Sequence, residues 1–310
     1  MRYSFWGNTE FSAVCLKQLA DLHLKPEYIV TTSPKHIGKK QILTPNPVDK
    51  LGTYYHIPVF YADNLKDEKL ISTLKEKRID LAIVASFGKI IPYQYFKIYK
   101  KGMINVHPSL LPKYRGPSPI QNSILNGDFE TGVTLFIIDN EVDHGPIIGQ
   151  TKALIDFKDN YESLSVKLAK LGANLINFIM PSFLSGKTYI KIQNENLTTF
   201  TKKFNFQDGY INWNDTSFNI YNKIRALYIE PGTYSYFIKN EKKCLLKIFS
   251  AQIFDFKNVN QQPGTVTMYQ NKVLVKTKDT FIELLRVQPE GKNKMDARSF
   301  INGNPINFLN

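Results

Sequence analysis

The chain is poor in cysteine, and the two that it has, Cys15 and Cys244, lie far apart. Their spacing fits neither a zinc site nor the clustered pattern of a disulfide-stapled secreted domain. No apolar run is long enough to span a bilayer, and the chain begins in a strand-like run without a basic-then-apolar leader. We therefore expect a cytoplasmic protein with no metal site and no membrane contact.

A glycine-rich nucleotide loop is also missing. Gly7-Asn8-Thr9 lies between a strand-like run and a helical pattern, as a dinucleotide loop would, but G-x-G-x-x-G is absent. Without the second and third glycines, the backbone is not shaped for close approach to a pyrophosphate. We therefore reject a dinucleotide site.

Arginine is scarce as well: only six of the 40 basic residues are arginine, although the net charge is +13. A basic surface gains affinity for phosphate backbones by releasing counterions. A lysine-rich composition also arises from nucleotide bias without selection for binding. The charge therefore favours a nucleic-acid partner but does not identify one.

The 310 residues, 43% of them hydrophobic, are enough for two domains. In the first 150 residues, strand-like runs at 3–6, 28–31, 81–86, 103–106 and 133–138 alternate with helical patterns at 11–22, 65–77 and 120–125. This alternation predicts an α/β fold, a Rossmann-like, mostly parallel sheet with helices on both faces.

The second half of the chain has a different pattern. A long helix is predicted from Asn160, which can cap it, to residue 179, and Pro181 should end or kink it. A polar connector follows at 187–203, and a short helix at 218–227 leads into strand-like runs at 234–238, 245–254, 264–268, 272–276 and 281–285. Such runs predict a small barrel. We place the domains at 1–188 and 207–310, with a linker at 189–206.

The most informative stretch runs from Asn105 to Pro112. Residues i and i+2 of an extended segment project to the same side, so Asn105 and His107 face one point together. Pro108 pushes His107 towards extended geometry. An amide donor beside an imidazole can stabilise an oxyanion and move a proton.

A lone histidine near a strand end is more often structural than catalytic. Here the next apolar run, 133–138, opens into acidic and glycine residues, among them Asp139, Asp143 and Gly145. Loops after buried strands often carry the chemistry of α/β proteins. Asp143 is therefore the candidate to orient or charge His107, and we expect His144 to face solvent.

These residues resemble the signature of the 10-formyltetrahydrofolate-dependent formyltransferases. The resemblance includes residues 105–116, 119–121 and the Asp143-x-Gly145-Pro-Ile run, and it extends to 5–11, 38–48, 224–227 and 288–295. It implies Asn105, His107 and Asp143 as catalytic residues, 10-formyltetrahydrofolate as cosubstrate, no metal, and an OB-like C-terminal domain. The loop and C-terminal matches imply initiator methionyl-tRNA as the acceptor and partner, formylated for translation initiation by a monomeric enzyme.

The folate needs a flat apolar slot with a few polar groups. Residues 85–92 offer apolar side chains beside a glycine, although a simple strand-to-helix turn explains them equally well. The resemblance favours the slot, with these candidate residues: Phe87, Gly88, Ile90, Ser109, Leu110, Leu111, Pro112 and Asp139.

Contacts with tRNA are predicted in the basic loop at 32–47. Lys35, Lys39 and Lys40 are candidates for acceptor-stem phosphates, and Arg115 and Arg225 are further candidates. The family usually has an arginine before Gly-Lys-Lys, where this chain has Ile37. A merely solvated loop is therefore an alternative.

Three other functions stay open. A sugar-nucleotide N-formyltransferase would share the catalytic residues and the folate donor, but would not need the lysine loop. A formyltetrahydrofolate hydrolase or a glycinamide-ribotide transformylase would fit the first 200 residues without the barrel. A catalytically silent RNA-binding module would not need Asn105, His107 and Asp143.

Overall fold

The computed structural model describes residues 1–38, 40–256 and 260–310. These residues form two compact units. The first comprises Met1–Pro119, Glu130–Leu154 and Leu164–Thr201, and the second Ile120–Phe129, Ile155–Ser163 and Lys202–Asn310.

Strands of the first unit are β1 (Ser4–Trp6), β2 (Tyr28–Thr31), β3 (Lys35–Ile37), β4 (Ile42–Thr44), β5 (Val59–Tyr61), β6 (Ala82–Val84), β7 (Met103–His107), β8 (Glu130–Ile137) and β9 (Ile147–Leu154). Seven of these described strands form one sheet in the order β5-β2-β1-β6-β7-β8-β9. The five from β5 to β7 are parallel, whereas β8 and β9 are antiparallel. The predicted mostly parallel α/β sheet is confirmed.

Helices are α1 (Glu10–Asp21), α2 (Pro47–Tyr55), α3 (Glu68–Glu76), α4 (Tyr93–Phe96), α5 (Pro119–Leu125), α6 (Tyr161–Leu184), α7 (Ser217–Ala226) and α8 (Ala297–Gly303). Local caps explain where several begin. The Asn160 side chain accepts from the Ser163 amide at 2.9 Å, and the Ser163 hydroxyl accepts from the Asn160 amide at 3.1 Å. This reciprocal pair satisfies two unpaired amides, so the predicted cap of α6 is confirmed.

Pro181 does not end α6, which continues to Leu184. Proline removes one backbone donor and so weakens the ladder in the helix interior. Its position one turn from the end leaves little helix to disrupt. The predicted end at residue 179 was therefore five residues early.

Two segments expected to be irregular are ordered by pairing. The loop at 32–47 contains a hairpin in which β3 pairs antiparallel with β4. In the polar connector, Lys191 bridges Ile147, and Thr201 donates its backbone N–H to the Arg115 carbonyl at 2.7 Å. Strands β5 and β9 were not predicted. Strand β5 has three residues, and the apolar pattern of β9 stops after Ile148.

The second unit has an antiparallel sheet built from β10 (Thr233–Lys239), β11 (Lys242–Phe254), β12 (Val266–Tyr269), β13 (Lys272–Lys276), β14 (Phe281–Pro289) and β15 (Met295–Asp296). Its order is β10-β11-β14-β13-β12, and β15 pairs with β14. A bulge lies in β11 between Ile248 and Ala251, and bulges bend strands. The core collects side chains from α7, α8 and the sheet, including Ile220 and Phe300, together with Trp213 from the segment before α7.

Residues 306–310, here called the closing segment, form backbone hydrogen bonds at both edges of this sheet. Near β12, the Leu309 amide donates to the Gly264 carbonyl at 2.8 Å, and Val266 donates to Asn307 at 2.9 Å. At β10, Tyr236 and Asn310 exchange both of their backbone bonds, at 3.0 and 2.8 Å. The closing segment therefore links the two edge strands, and the predicted barrel-like domain is confirmed.

Candidate active site

The candidate site lies at the carboxyl end of β7. Asn105 is paired in register with Val84 on one side and Phe136 on the other, and His107 with Thr134. From β1 the chain adds β2 and β5 on one side of the sheet and β6 and β7 on the other. Ligands of open α/β sheets bind beyond the carboxyl ends of the strands near such a reversal.

Asn105 has an uncommitted amide. Its side chain is half-buried on β7, and it forms no hydrogen bond within residues 1–38, 40–256 and 260–310. A side-chain amide carries two donors and an acceptor. Asn105 therefore has the capacity to hold a bound oxygen.

One ring nitrogen of His107 is hydrogen-bonded, and the other lies near a carboxylate. The side chain is only 4% exposed, and Nε2 lies 3.0 Å from the Tyr114 carbonyl oxygen. A carbonyl oxygen can only accept, so Nε2 carries a proton and donates. Nδ1 lies 3.6 Å from Oδ2 of Asp143, and the ring packs edge-on against Phe136. Protonation of Nδ1 would therefore place an imidazolium beside a carboxylate.

Asp143 adopts an unusual backbone conformation. Its φ is +50°, in the left-handed region, where residues other than glycine are disfavoured. The carboxylate Oδ2 accepts from the Gly116 amide at 2.8 Å. Gly145 explains the tight loop that follows, because a Cβ there would overlap the Ile137 carbonyl oxygen. The Asp143-x-Gly145 spacing is thus a requirement of this loop.

Arg115 joins this loop to a segment that the sequence pattern predicts as linker. Its guanidinium is almost fully buried and donates to Oε1 of Gln193 from Nε and Nη2, at 3.1 and 2.9 Å. It also makes two bonds to the Glu195 carboxylate, at 3.0 and 2.7 Å. These bonds commit the guanidinium to internal partners, whereas the sequence analysis predicts a tRNA contact for it. The sequence did not single out Gln193 or Glu195, since their polar surroundings are typical of a surface linker.

His144 pairs with Asp139. Nδ1 lies 2.7 Å from Oδ2 of Asp139, and this hydrogen bond raises the pKa of His144 above its ordinary value. Hydrogen bonding from Arg115 lowers the pKa of Glu195, whose carboxylate lies 3.6 Å from Nε2 of His144. Asp139 is thus occupied by His144 and by the Glu141 amide. His144 is a half-buried partner of that carboxylate, and not the wholly solvent-facing residue we expected.

The turn after His107 is fastened to β8 and β9. The Thr134 hydroxyl donates to the Ser109 carbonyl at 2.7 Å and accepts from the Leu111 amide at 3.0 Å. Gln150 donates to the Leu111 carbonyl at 2.8 Å. Ser109 and Leu111 are buried, whereas Leu110 and Pro112 are half-buried. A folate slot would therefore meet Leu110 and Pro112 more readily than the other two.

The segment after β6 differs from the expectation at Phe87. Its side chain is buried and packs edge-on against Trp6, with ring centroids 5.2 Å apart. Phe87 is therefore a core residue and does not line an open slot. Gly88 has φ +74°, and only the side chain of Asn8 would lie within 4 Å of a Cβ there, whereas Ile90 is 87% exposed. Gly88 and Ile90 thus offer open apolar surface.

Comparison with known proteins decides the family. Residues 4–178 match the formyl transferase family, and residues 203–305 match its C-terminal domain. The methionyl-tRNA formyltransferase of Thermodesulfovibrio yellowstonii is 37% identical over 303 residues, which cover 98% of this chain and 96% of that protein. That of Dictyoglomus thermophilum is 36% identical over 311 residues, covering 99% and 98%. The chain belongs to the methionyl-tRNA formyltransferase family.

Solved structures of an N-formyltransferase and of HypX are similar in fold to this methionyl-tRNA formyltransferase family member. An N-formyltransferase of Helicobacter canadensis, in complex with folinic acid and dTDP-3-aminofucose, superposes with a TM-score of 0.64 at 22% identity, covering 91% of this chain and 98% of that one. HypX of Aquifex aeolicus, in complex with tetrahydrofolic acid, gives a TM-score of 0.66 at 16% identity and covers 97% of this chain. The chain spans about half, 47%, of HypX.

The predicted tRNA contacts of this family member are only partly exposed. Lys35 and Lys40 lie at the surface of the β3–β4 hairpin, and Lys39 lies outside the described residues. Arg225 is buried and donates to Asn222 and to the carbonyls of Asp156 and Asp159. Burial lowers the pKa of Arg225. Arg225 thus ties α7 to a neighbouring turn, whereas the sequence analysis predicts a phosphate contact for it.

The structure was also searched for groups of metal-ligating side chains and for helices able to span a membrane. Among residues 1–38, 40–256 and 260–310, no three His, Cys, Asp or Glu side chains form a group able to hold a metal ion. None of the described helices is both long and apolar enough to cross a membrane.

Proposed function

We propose that this protein transfers the formyl group of 10-formyltetrahydrofolate to the amino group of methionine on initiator methionyl-tRNA. The product is formylmethionyl-tRNA for translation initiation. The observation that carries this proposal is the likeness to methionyl-tRNA formyltransferases over 98% of the chain, in both the N-terminal and the C-terminal domain.

Asn105, His107 and Asp143 are the proposed catalytic residues. The neutral amine attacks the formyl carbon, so that a C–N bond forms and negative charge develops on the formyl oxygen. Asn105 donates a hydrogen bond to that oxygen from its uncommitted amide. The bond from the carbon to N10 of the folate then breaks, N10 takes a proton, and the amine loses one. His107, paired with Asp143 at 3.6 Å, supports this proton movement.

The folate is proposed to lie against Gly88, Ile90, Leu110 and Pro112. The exposed Ile90 and the open space at Gly88 suit a flat apolar ring. The backbone groups of Ser109 and Leu111 are taken up by Thr134 and Gln150, which keeps this wall in one conformation. The pair of Asp139 with His144 is proposed to form its polar rim.

The tRNA is proposed to reach the hairpin lysines Lys35 and Lys40, Lys39, which lies outside the described residues, and the C-terminal domain. The net charge of +13 supports an anionic partner. We further propose a monomer that works in the cytoplasm, with a catalytic domain at 1–188, a linker at 189–206 and a tRNA-binding domain at 207–310.

One assay tests the function and its alternative, a sugar-nucleotide N-formyltransferase. The purified protein is incubated with 10-formyltetrahydrofolate and either initiator methionyl-tRNA, elongator methionyl-tRNA, a dTDP-amino sugar or no acceptor, and tetrahydrofolate is measured. We expect release with initiator methionyl-tRNA and far less in the other reactions. Release with the amino sugar alone, or without any acceptor, would contradict the proposal.

A further inference from the structure

Gln193 is a buried and fully hydrogen-bonded side chain beside the candidate site. It is 6% exposed, and its amide uses all four of its hydrogen-bonding positions. Oε1 accepts twice from Arg115, and Nε2 donates to the carbonyls of Asp143 and Gly145 at 2.9 and 2.8 Å. Only this orientation of the amide fits, because its opposite would set donors against donors and acceptors against acceptors.

These bonds bear on the shape of the Asp143 loop. A residue other than glycine at φ +50° is disfavoured by about 1 kcal/mol or more, and persists only where its surroundings hold it. Asp143 is held at two points: Gly116 donates to its carboxylate, and Gln193 donates to its own carbonyl. In this conformation of the loop, Oδ2 of Asp143 lies 3.6 Å from Nδ1 of His107.

The neighbouring residues 193–201 fasten the other side of the site in the same way. Thr199 accepts from the Tyr114 amide at 2.8 Å through its hydroxyl and from the Arg115 amide at 2.9 Å through its carbonyl. Tyr114 supplies the carbonyl that receives Nε2 of His107. One short segment thus fixes the backbone around both ring nitrogens of His107.

We propose that Gln193 is a positioning residue for formyl transfer: through Asp143 and Gly145 it sets the distance between the Asp143 carboxylate and His107. It touches neither substrate. The inference rests on the proposed function, because it takes the rate of formyl transfer as its readout. Its failure is separable from that of the function, as the variants below show.

Gln193→Glu is the sharpest test. The new carboxylate can still accept from Arg115, but its other oxygen faces the carbonyls of Asp143 and Gly145 and repels them. Asn196→Asp is the matched control, since it makes the same amide-to-acid change on an exposed residue of the same segment. Displacements of about 1 Å in such sites cost about a hundredfold in rate.

We expect kcat of Gln193→Glu to fall about tenfold to a hundredfold. The KM values for 10-formyltetrahydrofolate and methionyl-tRNA should stay within about twofold of Asn196→Asp, because Gln193 touches neither. In ¹⁵N spectra, the ring-nitrogen signals of His107 should move in Gln193→Glu and stay in place in Asn196→Asp. A merely structural role would lower the amount of folded enzyme without moving these signals.

Gln193→Met, which keeps the length without a charge, is used if Gln193→Glu does not fold. Equal kcat in the folded Gln193 variant and in Asn196→Asp, while His107→Ala is inactive, would overturn this inference and leave the function standing. Failure of both Gln193 variants to fold would also overturn it, because the residue would then be purely structural. Full activity of His107→Ala would instead contradict the proposed site.

Discussion

At the scale of single residues, the candidate chemistry depends on one free amide and one restrained imidazole. Asn105 keeps its donors available on β7, whereas His107 has Tyr114 at one nitrogen and Asp143 at the other. The free group can meet a charge that develops during the reaction, and the restrained group has a defined tautomer. Removal of the free group should therefore affect the transition state above all.

Asn105→Ala should lower kcat about a hundred- to a thousandfold, the usual cost of losing one oxyanion donor. The effect should appear in kcat and kcat/KM together, because the bond forms mainly in the transition state. Steady-state kinetics with initiator methionyl-tRNA measure it. Asn196→Ala, on an exposed residue, is the control and should keep full activity. A comparable loss in both would argue against a specific role.

The pair of His144 and Asp139 should be visible in an NMR titration. The pKa of His144 is raised chiefly by its hydrogen bond to Asp139 and less by the charge of Glu141. Asp139→Asn should therefore lower the pKa of His144 towards about 6.5, and Glu141→Gln should lower it less. A His144 titration that is unchanged in Asp139→Asn would refute the pairing.

The same pair has a defined effect on stability. Because the pKa of His144 is higher in the folded state, the pair stabilises the fold below the unfolded pKa of about 6.5. That contribution disappears as the pH rises through the folded-state pKa. The free energy of unfolding of wild type should therefore exceed that of Asp139→Asn more at pH 5.5 than at pH 9, the opposite of a carboxylate whose pKa is lowered.

At the scale of elements, the loop between β8 and β9 depends on a close approach of backbone to backbone. A side chain at Gly145 would overlap the Ile137 carbonyl. Overpacking of this kind costs about 1–3 kcal/mol or more, since the backbone must shift. The loop carries Asp143, so a shift there reaches the site as well.

Gly145→Ala should therefore lower both the free energy of unfolding, by about 2 kcal/mol or more, and kcat. Gly186→Ala is the control in the same unit. Gly186 has φ +72° and nothing within 4 Å of a Cβ, so it carries only the conformational cost of about 1 kcal/mol and no steric clash. Urea unfolding and kcat are measured for both. Equal stability losses, with kcat intact in Gly145→Ala, would contradict this interpretation of the loop.

Many of the strands, and the placement of Asn105 beside His107, could be predicted from the sequence. The strands around Phe5, Ile83 and Val106 are short buried apolar runs, and Asn105 and His107 share a face because they are two residues apart. Strand β9 was missed because its exposed half alternates Lys152 and Leu154 with small residues. Its strand conformation comes from pairing with β8, which the local sequence pattern does not show.

The hydrogen-bond partners of side chains within the site could not be predicted from the local sequence pattern. Gln193 and Glu195 lie about 80 residues from Arg115 along the chain, and only tertiary folding brings them into hydrogen-bonding distance of its guanidinium. For the same reason Arg115 and Arg225 were predicted as surface cations, although their guanidinium groups are internally bonded. The sequence shows that an arginine can bind an anion, but only the folded structure shows which groups its guanidinium contacts.

At the scale of the whole molecule, the charge of +13 and the closed second sheet are the main features. Counterion release makes phosphate binding fall steeply with salt. A small folate contacts far fewer cations than a tRNA does. The two substrates should therefore respond differently to ionic strength.

We expect KM for methionyl-tRNA to rise at least about tenfold between about 50 and 200 mM salt. KM for 10-formyltetrahydrofolate should change much less over the same range, and it serves as the control in the same reactions. Initial rates at several salt concentrations measure both. Equal salt dependence of the two values would argue against binding of tRNA through its backbone.

Leu309→Ala should destabilise the second unit by about 2–5 kcal/mol, because Leu309 is fully buried in its core. Asn307→Ala is the matched control in the closing segment. Asn307 is exposed and contributes its backbone carbonyl, which alanine keeps. Calorimetry and hydrogen exchange at the Tyr236 and Val266 amides are the measurements. Unchanged exchange in Leu309→Ala would contradict the role of the closing segment.

The closing segment also bears on self-association. An open antiparallel sheet offers two rows of unpaired backbone groups to other chains, which is a common route to aggregation. Residues 306–310 pair with Tyr236 at one edge of the second unit's sheet and with Gly264 and Val266 at the other, so each protein molecule covers part of its own two edges. A peptide fused after Asn310 would leave from between those strands. Such a fusion would need a flexible spacer to keep the edges covered and the protein dispersed in solution.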